Sequence, residues 1–521
     1  MLSANSETFD VAVIGGGPAG SIVAAKLAEA GVRVVILEAE HFPRPHIGES
    51  LLATSMPLLE ESGVLASVSK GSFIRKWGGI FIWGNTQPKF LPMPRPYYAF
   101  QVERARFDDI LLRHAEKQGA HVRFGCRVNS FLKDPKGRLT AVIAKHHTGQ
   151  CNQFFCRFVV DASGLTRAGS RLLGLPIERH GPIRAAISAY FENARRYTAP
   201  NDGDVISESS ENGWLWFIPL SDKLTSVGLV TDRDLVTTGD LVGSLMTQIS
   251  TTRVVKNLTR EAKLVSSPKL LGYSNYLVSA GLWTNGLILV GDAAGFVDPL
   301  FSTGVHCALY GAVSAAAALI SVISGEIEES EAADWYDGEL RRHYQGIRST
   351  VEVLYGLNAK QGDFWTRRDL SRITPAQAEE LCHRLGVSGR SFFEKMSTTL
   401  PLPARIQERL AEFDVQVSPS KVDSSTILEL PSAVVMKSGL CRKDGKLHRS
   451  VSLNRQRTRT SYPVGGPEGA FITAIDGKRQ LGEIIKHIAT DEKQAAQLYR
   501  FAEALAGAGW AAPGSVDARS S

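Results

Sequence analysis

A chain of 521 residues exceeds a single ordinary domain and implies about three to four structural units. Its 43% hydrophobic and 21% charged residues are the composition of a globular protein with a large core, which excludes a disordered or fibrous chain. The net charge of +6 is modest, and no zinc-finger spacing or RNA-recognition signature accompanies the basic residues, which argues against nucleic acid. Six cysteines (Cys126, Cys151, Cys156, Cys307, Cys382 and Cys441) lie scattered without C-x-x-C pairs. They read as reduced thiols of a cytoplasmic protein, with no metal site. The N-terminus lacks the basic stretch and apolar core of a secretory signal.

The apolar run Asp10-Val11-Ala12-Val13-Ile14 predicts a strand, followed by Gly15-Gly16-Gly17-Pro18-Ala19-Gly20. Gly15, Gly17 and Gly20 match G-x-G-x-x-G: a tight turn, close approach of backbone to a pyrophosphate, and close packing of helix on strand. A helix over 21–30 and a strand over 32–37 complete a β-α-β unit ending in Glu38, placed to accept hydrogen bonds from an adenosine ribose. Residues 1–110 form this unit with turn-rich excursions, and apolar positions at helical spacing predict a helix beginning near Val102.

Residues 111–174 continue the cofactor domain as strands with a hairpin-like turn at 135–138, ending in Asp161-Ala162-Ser163-Gly164. Residues 175–280 alternate apolar and polar positions, which predicts a mostly antiparallel sheet on the substrate side. Within it, Gly213-Trp214-Leu215-Trp216-Phe217-Ile218-Pro219 places two tryptophans on one strand face, where they can wall a cofactor off from a substrate. Residues 281–332 return to the cofactor domain through the buried strand 287–290 and the loop Gly291-Asp292. Loops after parallel strands sit at the carboxyl edge of the sheet, where ligands bind. Asp161 and Gly291 mark that edge, Asp292 is the candidate partner of ribityl hydroxyls, and in this order the motifs point to FAD rather than NAD.

The loop 296–304 leads into an apolar segment, 305–323, long enough to test as a membrane span. His306, Tyr310, Ser314 and Ser321 favour a buried helix instead, so no membrane partner is expected. A helix start offers unpaired N–H groups to an anion, a reduced flavin or a halide; the alternative is a plain cap at Ser302 or Thr303. Residues 333–416 read as helical, Val417-Ser418-Pro419-Ser420 as a linker, and 417–521 as a small α+β appendage. The expected fold class is therefore α/β: an FAD-binding Rossmann-like domain, an antiparallel substrate-side sheet and a C-terminal appendage.

The glycine loop, the G-W-x-W-x-I-P string and the Phe296/Pro299/Ser302/Gly304 pattern resemble the flavin-dependent halogenases over about the first 360 residues. That resemblance implies a two-component reaction, in which a separate flavin reductase supplies FADH2, and oxygen with chloride or bromide yields hypohalous acid. A lysine then delivers the halogen to an electron-rich small aromatic substrate, and it matches Lys76. Its ammonium could polarise hypohalous acid, or its neutral amine could form a haloamine, in a setting partly desolvated by Trp77, Phe81 and Trp83. Trp214 and Trp216 become the barrier, Ser302 a catalytic-site residue, and the amides of Thr303 and Gly304 the halide contacts. Arg44, Ser50, Arg104, Pro299 and Gly304 join the expected cofactor contacts.

Halogenases acting on free tryptophan carry a glutamate where this chain has Phe301, so phenols and pyrroles fit better. The appendage resembles extra domains of halogenases acting on acyl or peptidyl groups tethered to a carrier protein. The basic run Arg442, Lys443, Lys446, Arg449, Arg455, Arg457 and Arg459 is then a candidate surface for such an acidic partner, though a solvated segment is the commoner origin of a basic run. Three alternatives share the cofactor motifs: an NAD(P)H-dependent aromatic hydroxylase, a flavin reductase of prenyl double bonds and a non-catalytic flavin-binding module.

Overall fold

A computed structural model describes residues 5–83, 87–93, 97–356, 363–366, 422–432, 434–455, 458–507 and 511–513. The chain divides into two compact units, residues 1–320 with 336–402, and 321–335 with 403–521.

The first unit is built mainly on two sheets, of six and nine strands, beside a four-stranded and a two-stranded sheet. Val11–Ile14 lies inside a six-stranded sheet between Val34–Leu37 and Phe158–Asp161, with Leu287–Leu289 beyond. These strands are parallel and nearly solvent-free, which explains why they read as unbroken apolar runs. The first helix, Pro18–Glu29, begins inside the glycine motif, earlier than its apolar periodicity suggested.

The second sheet has nine strands, largely antiparallel as expected for 175–280. Leu215 and Phe217 point into a core with Ile187, Phe191, Ile206, Val227 and Leu229, so by the two-residue period Trp214 and Trp216 take the opposite face. One pairing was not foreseen. Gly78–Ile82, assigned from sequence to the cofactor segment, joins this sheet in parallel with Val205–Ser210, which itself pairs with the tryptophan strand Gly213–Pro219. That crossover brings Lys76, two residues upstream of Gly78, to the strand neighbourhood of the tryptophans.

The apolar segment forms the helix Thr303–Ile323, beginning two residues earlier than read. It is long and apolar enough to cross a membrane, yet 83% of its most apolar window is buried within the fold. Its successor is the helix Glu329–Gly356, which runs into the region read as helical from 333, with a further turn at Asp363–Thr366. The remainder of that region, the 417–420 linker and Cys382 lie outside the described residues.

In the second unit, three antiparallel strands (Val435–Lys443, Lys446–Arg455 and Thr458–Pro463) carry the helices Pro467–Ala474, Leu481–Ile488 and Glu492–Gly507. Their apolar faces share a core of Val451, Leu453, Phe471, Ile484, Ile485, Leu498 and Leu505. Part of the basic run is engaged within this unit: Lys446 pairs with Glu326 at 2.5 Å and Arg449 with Glu331 at 2.8 Å. Arg457 and the side chains of Arg455 and Arg459 lie outside the described residues.

Candidate active site

The glycine loop sorts its residues by what a side chain would meet. A Cβ on Gly15, which has φ +98°, would lie 2.7 Å from the Ala162 carbonyl oxygen, and one on Gly20 would lie 1.9 Å from the Gly15 oxygen. Both are therefore closed to substitution. Gly17 differs, since its missing Cβ faces only the Arg44 guanidinium, 3.5 Å away. The space between a helix start and a cation is suited to a phosphate. Pro18, Ala19 and Gly20 form the first turn of that helix, where N–H groups lack intrahelical partners. Glu38, at the end of Val34–Leu37, braces the loop by accepting from the Gly16 N–H at 2.6 Å and the Glu40 N–H at 2.8 Å.

Arg104 opens the helix Arg104–Lys117 and is buried. Its Nε and Nη2 donate to Asp108 at 2.7 and 2.9 Å, and its Nη1 donates to the Ile47 carbonyl at 2.8 Å, so it ties the 46–48 loop to the helix. Its charge, with burial, pushes His46 down to about 4. Asp292 has lost enough solvation to be pushed up to about 7, with Arg104 opposing the shift. Tyr276 donates its hydroxyl to the Asp292 carbonyl. Asp161 is placed differently. Its oxygens accept from the Ser163 N–H and Oγ and from the Gly169 and Ser170 N–H groups, so it fastens its own loop.

Beyond Gly291 the chain turns through Pro299–Phe301 to Ser302, which sits at φ +60°, a strained left-handed conformation for a residue with a side chain. Thr303 begins the long helix; its buried Oγ1 has no hydrogen-bond partner among the described residues. No atom of the described residues lies within 4 Å of a Cβ placed on Gly304, so among them open space fronts the first turn. These vacant donors and the room beside Gly17 and Gly304 fit a bound FAD and a small anion.

The tryptophans lie side by side, ring centroids 6.2 Å apart. Trp216 spreads over Gly228, where a Cβ would lie 2.1 Å from the indole. Trp214 donates its indole N–H to Tyr355 at 2.6 Å, and Tyr355 donates to Asp298 at 2.8 Å; Tyr273 donates to the same carboxylate at 3.1 Å. Trp216 donates to Ser226 Oγ at 3.2 Å, and the buried Glu49 accepts from Tyr190 at 2.7 Å. Tyr355, Trp365 and Trp83 form an aromatic cluster, and Phe301 packs on Phe81 at 6.0 Å. Tyr355, Trp365, Ser226 and Glu49 carry no motif, so sequence reasoning missed them.

Lys76 ends the strand Ile74–Lys76 and is only 2% exposed. Its amine donates to Ser50 Oγ at 2.8 Å and to the Leu51 carbonyl at 3.0 Å. Ser50, expected at the cofactor, is thus a partner of the lysine. Burial pulls Lys76 down to about 7, with the charge of Asp204 opposing. The aromatic residues expected around it are engaged with other rings: Trp77 packs on Tyr98, and Trp83 on Tyr355 and Trp365.

Fold and site together fit an FAD-dependent oxidoreductase. A family model described as tryptophan halogenase matches residues 10–93 and 85–399. The chain is 33% identical over 370 residues to a tryptophan 2-halogenase of Chondromyces crocatus, covering 69% of this chain and 70% of that protein. It is 30% identical over 384 residues to a 1H-pyrrole-2-carbonyl-[peptidyl-carrier protein] chlorinase of Pseudomonas fluorescens, covering 67% and 84%. Its fold matches the solved structure of CmlS, a flavin-dependent halogenase, with a TM-score of 0.75 at 24% identity, over 98% of this chain and 96% of that one. The chain belongs to the flavin-dependent halogenases.

Proposed function

We propose that this enzyme halogenates an electron-rich aromatic substrate, a phenol or a pyrrole, by way of Lys76, with the Trp214/Trp216 pair separating that substrate from the flavin. Reduced FAD, provided by a separate reductase, supplies with oxygen and chloride or bromide the hypohalous acid that Lys76 receives. The residues suited to hold FAD are the 15–20 loop and the helix start behind it, Glu38 toward the adenosine ribose, Arg44 beside the phosphates, and Asp292, Pro299 and Gly304 toward the ring. Arg104, Ser50 and Asp161 act at one remove, through the loops they fasten. The amides of Thr303 and Gly304 suit a halide.

The observation that carries this reading is the setting of Lys76. A neutral amine has two N–H donors, and two acceptors, Ser50 Oγ and the Leu51 carbonyl, occupy them. The nitrogen lone pair is left over, and near pH 7 much of the amine is neutral. It can attack the halogen of hypohalous acid: the N–halogen bond forms, the oxygen–halogen bond breaks, and water leaves with one amine proton. The aromatic carbon then takes the halogen, restoring the amine and releasing its own proton. Phe301, apolar where a carboxylate would be needed for a less acidic cation, favours rings whose own oxygen or nitrogen stabilises the charge. The name of the Pseudomonas relative supports including carrier-bound substrates in the test.

The experiment supplies FAD, a flavin reductase, NADH and chloride or bromide with free and carrier-bound phenols and pyrroles. Mass spectrometry should find the halogen isotope pattern, at a rate rising with pH through about 7. Lys76→Ala should lose product while hypohalous acid can still be trapped by a soluble scavenger. An added oxygen in place of halogen, or full product from Lys76→Ala, would overturn the reading in favour of a hydroxylase.

A further inference from the structure

Both indole N–H groups of the tryptophan pair are donated to a buried hydroxyl, and one of the two relays continues to a buried carboxylate. Trp214 runs through Tyr355 to Asp298, and Trp216 ends on Ser226 of the neighbouring strand Leu224–Asp232. Asp298 immediately precedes the Pro299–Phe301 turn and the helix start at Thr303, and it also accepts from the Leu300 N–H at 3.3 Å. Trp214, Tyr355, Asp298, Trp216 and Ser226 are all buried.

We infer that Tyr355 and Asp298 form a tether that sets the plane of the Trp214 indole and fixes it to the halide-side loop, while Ser226 holds the Trp216 indole from the adjacent strand. Tyr355, Asp298 and Ser226 are then positioning residues, and the separation of flavin from substrate depends on them as well as on the rings. An indole wedged among apolar groups alone is free to slide within its plane. A directed N–H bond removes that freedom, and a carboxylate with two hydroxyl donors fixes the hydroxyl in turn. Asp298 has Tyr273 as its second donor, so this anchor persists if the Tyr355 relay is cut. The functional consequence rests on the proposed halogenase reading, whereas the tethers themselves do not.

The test uses the full chain labelled with 5-fluorotryptophan, whose eight tryptophans give eight fluorine resonances. Trp214→Phe and Trp216→Phe assign the two of interest. Tyr355→Phe should move the Trp214 resonance and Ser226→Ala the Trp216 resonance, with those of tryptophans outside the cluster in place as a check on folding. If Tyr355→Phe does not fold, Asp298→Asn should also displace the Trp214 signal. A Trp214→Phe/Tyr355→Phe cycle should show a coupling of about fivefold in the folding equilibrium, the size of one net hydrogen bond. In turnover, halogenated product per FADH2 consumed should fall about fivefold in Tyr355→Phe, and no further in the double variant than in Trp214→Phe. Unmoved resonances, or a cycle without coupling, would overturn the tethers. A wild type that fails to halogenate, with the resonances shifting as expected, would sink the functional reading and leave the tethers standing.

Discussion

Replacing Lys76 by methionine should kill halogen transfer and stabilise the fold, with a gain that depends on pH. Holding the amine at about 7 when an unfolded lysine titrates near 10.4 costs the folded chain on the order of 4 kcal/mol at pH 6, at about 1.4 kcal/mol per pH unit. Methionine is similar in length and apolar, and the variant forfeits two hydrogen bonds worth about 1 kcal/mol each. The net gain at pH 6 is therefore about 2 kcal/mol. Between about pH 7 and 10 the unfolded lysine stays protonated while the folded one is neutral, so the wild type gains stability as pH rises through that window. The advantage of methionine should shrink to about zero by pH 9. Urea titrations of both FAD-free proteins at pH 6 and pH 9 measure it. A difference of the same size at both values would mean that the amine is not held near neutrality by burial, and the haloamine route would lose its basis.

The other predictions concern separate parts of the site. Gly228→Ala should displace Trp216, since the new Cβ would sit 2.1 Å from its ring and 2.5 Å from the Ile187 oxygen; denaturation should show a loss of about 3 kcal/mol, the upper part of the overpacking range. Gly304→Val should leave apoprotein stability within about 1 kcal/mol, because open space receives the side chain and valine is no poorer in a helix than glycine. The same variant should weaken FAD or halide binding about tenfold, or the open space is not a ligand site. Asp161→Ala should cost about 3 kcal/mol in urea titration, because it leaves the Gly169 and Ser163 N–H groups without their acceptor.

What the sequence made legible is what local chemistry determines. The glycine loop, the buried parallel strands and the two-residue alternation of Trp214 and Trp216 follow from backbone geometry within a few residues, and each is where its pattern implied. Asp161 shows the limit: an acid at a strand end suits a ligand and equally suits the loop behind it, and only the coordinates distinguish the two. The partners of Lys76 were illegible for another reason, because Ser50 and Leu51 approach through tertiary packing that no spacing encodes. Tyr355 meets Trp214 from 141 residues away, by helix packing rather than by motif.

The pairing of Gly78–Ile82 with Val205–Ser210 sets an order on assembly. The loop it closes spans more than a hundred residues, and such contacts form late because the intervening chain must first give up its freedom. During synthesis Gly78–Ile82 has no neighbour on that side until residue 210 has been made, and the cofactor sheet then still lacks Leu287–Leu289. A nascent chain can therefore join Gly78–Ile82 to its sheet before the cofactor sheet gains Leu287–Leu289, and a truncation between the two would hold the first pairing without the second.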